Sequence, residues 1–198
     1  MTFTGSAIVL AAGASVRFGS RKVLAPWRGK TFARAVADAL LEAGFERPIF
    51  VVRPDDEAVA NALPPTCAFA ENADPSRGML SSLLAGLAAV PREARWALVA
   101  LVDQPAITAR TMAVLARAAD LEPERIHVAA HGGVEGHPVV FPRWLFSAVR
   151  GIPDGHGAAD VVDAERAAGM LRVHEVGDPG VVIDVDTGAD LLRLETTP

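Results

Sequence analysis

The chain has 198 residues, 51% hydrophobic and 22% charged, with a net charge of −5 and no basic run. That balance excludes a disordered chain and a generic nucleic-acid surface, so any site for a polyanion has to be assembled locally. The lone cysteine, Cys67, excludes an internal disulfide and a multi-cysteine zinc site; within Thr66-Cys-Ala-Phe-Ala70 it reads as a small buried residue. No secretory leader opens the sequence and no apolar run is long enough for a bilayer, so a cytoplasmic protein without a membrane partner is expected.

In chain order, residues 6–11 form a continuous apolar run, as expected of a strand buried on both faces. Residues 32–43 carry helical periodicity and Gly44 is placed to end it. Residues 48–52 read as a strand, 55–63 as a short helix closed by Pro64-Pro65, 68–70 as a brief strand and 79–89 as a helix. The run at 96–102 is the strongest central-strand pattern, and Thr108 is the expected N-cap of a helix reaching about residue 119. Residues 126–130 and 138–141 predict two strands around the turn Gly132-Gly-Val-Glu-Gly136, and 158–167 a helix. Residues 171–176 and 181–185 predict two more strands, and Thr187 starts a last helix. The alternation predicts a single α/β domain over residues 1–198, with a mostly parallel sheet covered by helices.

Ligands of open α/β sheets gather at the carboxyl ends of the strands, and several polar groups fall there. The first is the loop in Ile8-Val-Leu-Ala-Ala-Gly13-Ala-Ser-Val-Arg17-Phe-Gly19-Ser-Arg-Lys22. It is neither a Walker loop nor a dinucleotide fingerprint: Gly13 and Gly19 are too far apart for the former, and the middle glycine of the latter is missing. Such a loop can wrap backbone N–H groups around phosphates while Arg17 and Lys22 neutralise them.

Asp103, directly after the strand at 96–102 and stiffened by Pro105, is either a turn residue or a ligand for Mg²⁺. In Ile183-Asp-Val-Asp186-Thr-Gly-Ala-Asp190, strand alternation would put Asp184 and Asp186 on one face, with Asp186 the second metal carboxylate and Asp190 a solvated helix residue. Asn72 and Ser82 bracket a helix start suited to a base or ribose, or simply to capping a helix in which Gly86 allows close packing. His137, in Gly136-His-Pro138, is either a turn residue or part of a second substrate's pocket. His127, His131 and His137 recur like zinc ligands, but without a carboxylate pattern they make a weak site.

The order of these pieces resembles molybdenum cofactor cytidylyltransferases and, more distantly, the guanylyltransferases and the cytidylyltransferases of isoprenoid synthesis. The matching segments are Leu10 to Lys22, Gly78-Met-x-x-Ser82, Asp103-x-Pro105-x-x-Thr108, Gly136-His-Pro-x-x-Phe141 and Asp184-Val-Asp-Thr187. The resemblance implies a Rossmann-like three-layer sandwich of nucleotidyltransferase type. It implies that Arg17 and Lys22 hold a triphosphate, that Asp103 and Asp186 hold Mg²⁺ (or Mn²⁺), and that Ser82 and the backbone of Leu10, Ala11, Ala12 and Gly13 contact the nucleotide.

The Leu-Ala-Ala-Gly form resembles the CTP-using branch, the alternative being GTP. The implied acceptor is a molybdopterin-type phosphate, with His137 in its pocket. One departure stands out: Ala159 occupies a position where the cytidylyltransferase pattern has arginine. Other acceptors, such as a sugar or polyol phosphate, remain open, as does a non-catalytic carrier that serves a molybdenum hydroxylase.

Overall fold

A computed structural model describes residues 3–13, 18, 21–153 and 156–196. The buried run near the start forms β1 (Ser6–Leu10). A 3₁₀ turn (Lys22–Leu24) follows, then a small hairpin of β2 (Pro26–Trp27) and β3 (Lys30–Thr31). Helix α1 (Phe32–Ala43) starts at Thr31, whose hydroxyl accepts from Arg34 N–H, and stops at Gly44, which takes the left-handed φ of 110° that favours glycine.

Next come β4 (Ile49–Val52), α2 (Glu57–Ala62) capped by Asp56, β5 (Ala68–Glu71) and α3 (Met79–Ala89). They are followed by β6 (Trp96–Leu101), α4 (Ala109–Leu121) capped by Thr108, β7 (Ile126–His131) and β8 (Val134–Pro142). The chain then forms α5 (Leu145–Arg150), α6 (Ala158–Ala167), β9 (Leu171–Glu175), a 3₁₀ turn (Pro179–Val182) and α7 (Gly188–Thr196).

Seven strands form one sheet in the order β5-β4-β1-β6-β8-β7-β9, and β8 alone runs against the others. Side-chain alternation along the central strands divides the core. Ala7, Val9 and Ala11 face α1 and α4, whereas Ile8, Leu10 and Ala12 join Leu83 and Leu87 of α3 and Leu145 and Phe146 of α5. The result is three layers, as the resemblance implied. Cys67 is 5% exposed, and burial pushes its thiol up to about 11, leaving it unreactive. Among the described residues, no helix is long and apolar enough to cross a membrane.

One predicted strand is absent. Residues 181–185 complete a 3₁₀ turn and continue as irregular chain. Asp178 caps that turn by accepting from Gly180 N–H, Pro179 brings no N–H donor, and Gly180 lies against the Ala106 backbone, where a Cβ would sit 2.8 Å from carbon. The segment therefore crosses the carboxyl end of the sheet instead of joining it, and Val185 N–H donates to the Asp103 carbonyl (2.9 Å). Three elements went unforeseen: the β2–β3 hairpin, the six-residue α5, and the extension of β8 back to Val134. Thr187 caps α7 as expected, but Asp190 is no merely solvated residue, since its carboxylate accepts in return from Thr187 N–H (2.8 Å).

Gly86 and Gly136 are confined by different kinds of neighbour. A Cβ on Gly86 would meet the Ile8 methyl at 2.5 Å, and one on Gly136 would meet the Val181 carbonyl oxygen at 1.9 Å. A methyl can move aside whereas a backbone carbonyl held by its neighbours cannot. Gly136→Ala is therefore expected to destabilise by about 3 kcal/mol and Gly86→Ala by about 1 kcal/mol, read from urea midpoints. Similar losses in the two variants would contradict this packing.

His127 is fully buried; its Nε2 donates to the Glu122 carbonyl (3.0 Å), so its Nδ1 accepts from Nε2–H of His174 (2.9 Å). Burial holds both rings below the usual histidine range, with Glu122 opposing this and Arg172 adding to it. The unfolded chain therefore binds more protons as pH falls through 6.5. Stability that is complete well above that pH should decline as the pH falls below 6.5, and His127→Gln should reduce the slope in pH-dependent denaturation.

Candidate functional site

The chain leaves β1 to build β4 and β5 on one side and then returns to β6 on the other. The carboxyl ends of β1 and β6, paired through Leu10 and Leu101, thus flank the switch point of the sheet. Lys22, Asp103 and Asp186 converge there from three distant parts of the sequence. Lys22 is only 8% exposed, and its Nζ donates to Asp186 Oδ1 (2.6 Å) and Asp103 Oδ2 (3.1 Å). Burial alone would lower the lysine's pKa, but the hydrogen bonds and charges of Asp186 and Asp103 outweigh it and hold the ammonium above its usual range.

Each partner is positioned by its own backbone. Lys22 opens a 3₁₀ turn, Asp103 follows rigid β6, and Asp186 arrives on the crossing segment. That segment is anchored by Asp178, whose Oδ2 accepts from Thr108 N–H (2.9 Å), Thr108 Oγ1 (2.8 Å) and Thr111 Oγ1 (2.6 Å). Sequence reasoning missed Asp178, although its place just before Pro179 is an ordinary turn signal. Arg53 was missed as well. Directly after β4, its guanidinium donates to the carbonyls of Ala12 (3.0 Å) and Gly13 (2.9 Å), holding the backbone where it leaves β1. A charged residue at the end of an apolar strand was the available signal, the same one that marked Asp103.

A cavity of about 360 Å³ is lined by Leu10, Ala11, Ala12 and Gly13, by Lys22 and Asp103, and by Gly78, Met79 and Ser82 at the start of α3. The positive end of a helix and a lysine thus border the same space, which suits phosphate oxygens. Asn72 stands behind this wall. It is buried and its amide donates to Ser81 Oγ (2.8 Å) and Ser82 Oγ (2.9 Å), while its Oδ1 accepts from Asp74 N–H. Asn72 therefore braces the start of α3 and sets Ser82. Arg17 lies outside the described residues, as do Gly19 and Asp154.

A second cavity, of about 620 Å³, adjoins the first through Leu10, Met79 and Leu101. Its lining includes His137, Ala159, Gln104 and Asp184. His137 is half-buried, and burial holds it below the usual histidine range against the nearby charges of Asp184 and Asp103. Asp184 and Asp186 do not act as a pair: Asp184 accepts from Gln104 Nε2 (2.8 Å), and Asp186 accepts from Lys22. His127 and His131 are engaged elsewhere, with His174 and with the Val176 carbonyl, so they form no site with His137.

Asp103 and Asp186 together suit a hard divalent cation, which takes carboxylate oxygens and fills its remaining positions with water and phosphate oxygens. The Lys22 ammonium now neutralises both. Without nucleotide, Lys22→Met should bind Mn²⁺ roughly tenfold or more tighter than the parent, because a charge-assisted hydrogen bond to displace is worth about 1.5–3 kcal/mol. Equal Mn²⁺ affinity in a spin-resonance titration would show that the lysine does not compete for these carboxylates.

Comparison with known proteins agrees with this geometry. The profile of the MobA-like NTP transferase domain matches residues 7–169. A protein of Paenarthrobacter nicotinovorans named nicotine blue oxidoreductase is 33% identical over 196 residues, covering 94% of each chain. A probable molybdenum cofactor guanylyltransferase of Opitutus terrae is 37% identical over 110 residues, 56% of this chain and 53% of that one. Among solved structures, Rv0371c of Mycobacterium tuberculosis superposes with a TM-score of 0.83 at 28% identity over 99% of both chains. A manganese complex of the same protein gives a TM-score of 0.76 at 26% identity over the full length of both. With the matched profile spanning most of the sheet and the whole lining of the smaller cavity, the chain belongs to the MobA-like NTP transferase domain family.

Proposed function

We propose that this protein transfers a nucleotidyl group from a nucleoside triphosphate, CTP in the first instance, to the phosphate of a molybdopterin-type acceptor, with release of pyrophosphate. The observation that carries the reading is the convergence of Lys22, Asp103 and Asp186 beside the opening loop, with a second cavity adjoining. An acceptor phosphate oxygen bonds to the α-phosphorus as the bond to the β-phosphate oxygen breaks. Two anions must meet, so the protein's contribution is neutralisation and in-line positioning.

In this reading Lys22 moves from its carboxylates onto the triphosphate and stabilises the departing pyrophosphate. The α3 start and Ser82 hold the nucleotide, the backbone from Leu10 to Gly13 approaches it, and Arg17 adds a second cation. Asp103 and Asp186 would hold Mg²⁺ or Mn²⁺, which supplies Lewis-acid charge stabilisation; manganese is the ion bound by the mycobacterial relative. The Leu-Ala-Ala-Gly form of the loop favours CTP, while the relative named a guanylyltransferase keeps GTP as the alternative. Ala159 puts a methyl group in the lining of the larger cavity where the cytidylyltransferase pattern has arginine.

The relative matched over nearly its whole length is named an oxidoreductase, which supports a second reading, oxidation or reduction of a small compound in the larger cavity. Holding a pterin cofactor for a molybdenum hydroxylase, without transfer, is the non-catalytic alternative.

Binding of CTP, GTP, ATP and UTP with and without Mg²⁺, followed by pyrophosphate release with a molybdopterin acceptor, separates these readings. Selective, metal-dependent CTP binding with release of pyrophosphate is the expected result. Lys22→Ala and Asp103→Ala should each lower that release by roughly 10²–10³ with unchanged circular dichroism. Turnover near the parental rate in either variant would overturn the assignment, and substrate reduction without pyrophosphate would favour the redox reading.

A further inference from the structure

The turn that follows β4, Arg53-Pro54-Asp55-Asp56, holds two other segments of the chain. β4 lies beside β1 in parallel, with Val51 opposite Leu10, so residues just past one strand end run beside those just past the other. Arg53 uses this nearness: its Nε donates to the Ala12 carbonyl (3.0 Å) and its Nη2 to the Gly13 carbonyl (2.9 Å). Three residues on, the Asp56 side chain is 3% exposed, caps α2 by accepting from Val59 N–H (3.2 Å), and pairs with the Arg21 guanidinium. Arg21 immediately precedes Lys22. Between these contacts Pro54 fixes one φ, and Asp55 takes a left-handed φ of 56° that its surroundings must hold in place.

Each contact has a consequence for the smaller cavity. In a trans peptide the carbonyl and the N–H point opposite ways, so the Ala12 carbonyl on Arg53 turns Gly13 N–H away from the guanidinium. Ala12 and Gly13 line the cavity, whereas Arg53 is not part of its lining. Among the described residues Gly13 N–H has no acceptor. Two successive carbonyl oxygens, which would repel an anion, are thus taken up outside the cavity, and a donor is left for it. The Arg21–Asp56 pair acts instead on the lysine. Lys22 must leave the backbone at a place from which Nζ reaches both Asp103 and Asp186, and the ion pair of its neighbour fixes that place. A buried carboxylate keeps hold of its cation, because losing it would strand the charge.

We propose that residues 53–56 clamp the triphosphate site: Arg53 sets the Ala12–Gly13 backbone to donate to a phosphate oxygen, and Asp56, through Arg21, places Lys22 beside it. The inference rests on the nucleotidyl-transfer reading and extends it to positioning residues that touch neither nucleotide nor metal. The two halves of the clamp control different things. Arg53 governs a neutral donor, whereas Asp56 governs the cation that also neutralises Asp103 and Asp186.

The test titrates the full chain with two probes, inorganic tripolyphosphate with Mg²⁺ by calorimetry and Mn²⁺ alone by spin resonance. Arg53→Met should weaken tripolyphosphate binding roughly tenfold or more and leave Mn²⁺ affinity unchanged. Arg53→Lys, still able to donate to one carbonyl, should recover part of that loss. Asp56→Asn keeps the cap of α2 but removes the ion pair. It should also weaken tripolyphosphate, yet bind Mn²⁺ more tightly than the parent, because a loosened Lys22 competes less for the two carboxylates. Arg21→Met, changed at the exposed end of the pair, should reproduce Asp56→Asn.

A merely structural role would lower both affinities together and would not move them in opposite directions. Parental tripolyphosphate affinity in Arg53→Met, or Mn²⁺ affinity in Asp56→Asn no tighter than the parent's, would overturn the inference. A parent that binds no tripolyphosphate at millimolar concentration would sink the inference and the transfer reading together. The expected pattern without pyrophosphate release would sink the transfer reading alone, and release with parental affinities in the variants would sink this inference alone.

Discussion

The site depends on one buried cation held between two carboxylates. Lys22, Asp103 and Asp186 stand 81 and 164 residues apart along the chain, yet one ammonium contacts both acids. A buried lysine without partners would lose its proton or its place, and two adjacent carboxylates without a cation would repel. Each of the three therefore makes the others tolerable. The arrangement is also poised for exchange, because a triphosphate with its metal supplies the same charges in reverse, anions for the lysine and a cation for the acids.

That contact sets a demand on the backbone, met at the carboxyl end of the sheet. Asp103 needs only the rigid exit of β6. Asp186 needs a segment that crosses the sheet at one height, and the means are local. Asp178 ties the segment to the start of α4, Gly180 permits contact with the Ala106 backbone, and Gly136 gives way to the Val181 carbonyl. A strand at 181–185 would have carried Asp184 and Asp186 to one face. The irregular chain splits their roles instead, one on Lys22 and the other on Gln104.

This division separates two neighbouring chemistries. The smaller cavity has a lysine, a helix start and the backbone from Leu10 to Gly13; the larger is mostly apolar, with an excess of carboxylates. They meet at Leu10, Met79 and Leu101, at the mouth between β1 and β6. The two cavities thus present groups of opposite electrostatic character on either side of that boundary.

Much of this was legible in the sequence, wherever a local pattern has a local cause. The buried runs of β1 and β6, the caps Thr108 and Thr187, and the stop at Gly44 follow from periodicity and from backbone donors that need partners. Placing Asp103 and the loop that leads to Lys22 at the ends of strands required only the rule that ligands gather there, and the motif order pointed to the family that the profile then matched. Tertiary structure decided what depends on contacts between distant segments. Asn72 could have faced a base or a helix, and the hydroxyls of α3 claimed it. Val181 to Val185 has the composition of a strand, but Asp178, Gly180 and Gly136 laid it across the sheet. The partners of the buried Gln104 amide, Asp184 and the Val181 carbonyl, lie about eighty residues away and could not be read along the chain. Hydrophobic period and capping act within a few residues and can be read along the chain, whereas the partner of a buried charge or amide is chosen by packing and appears only in three dimensions.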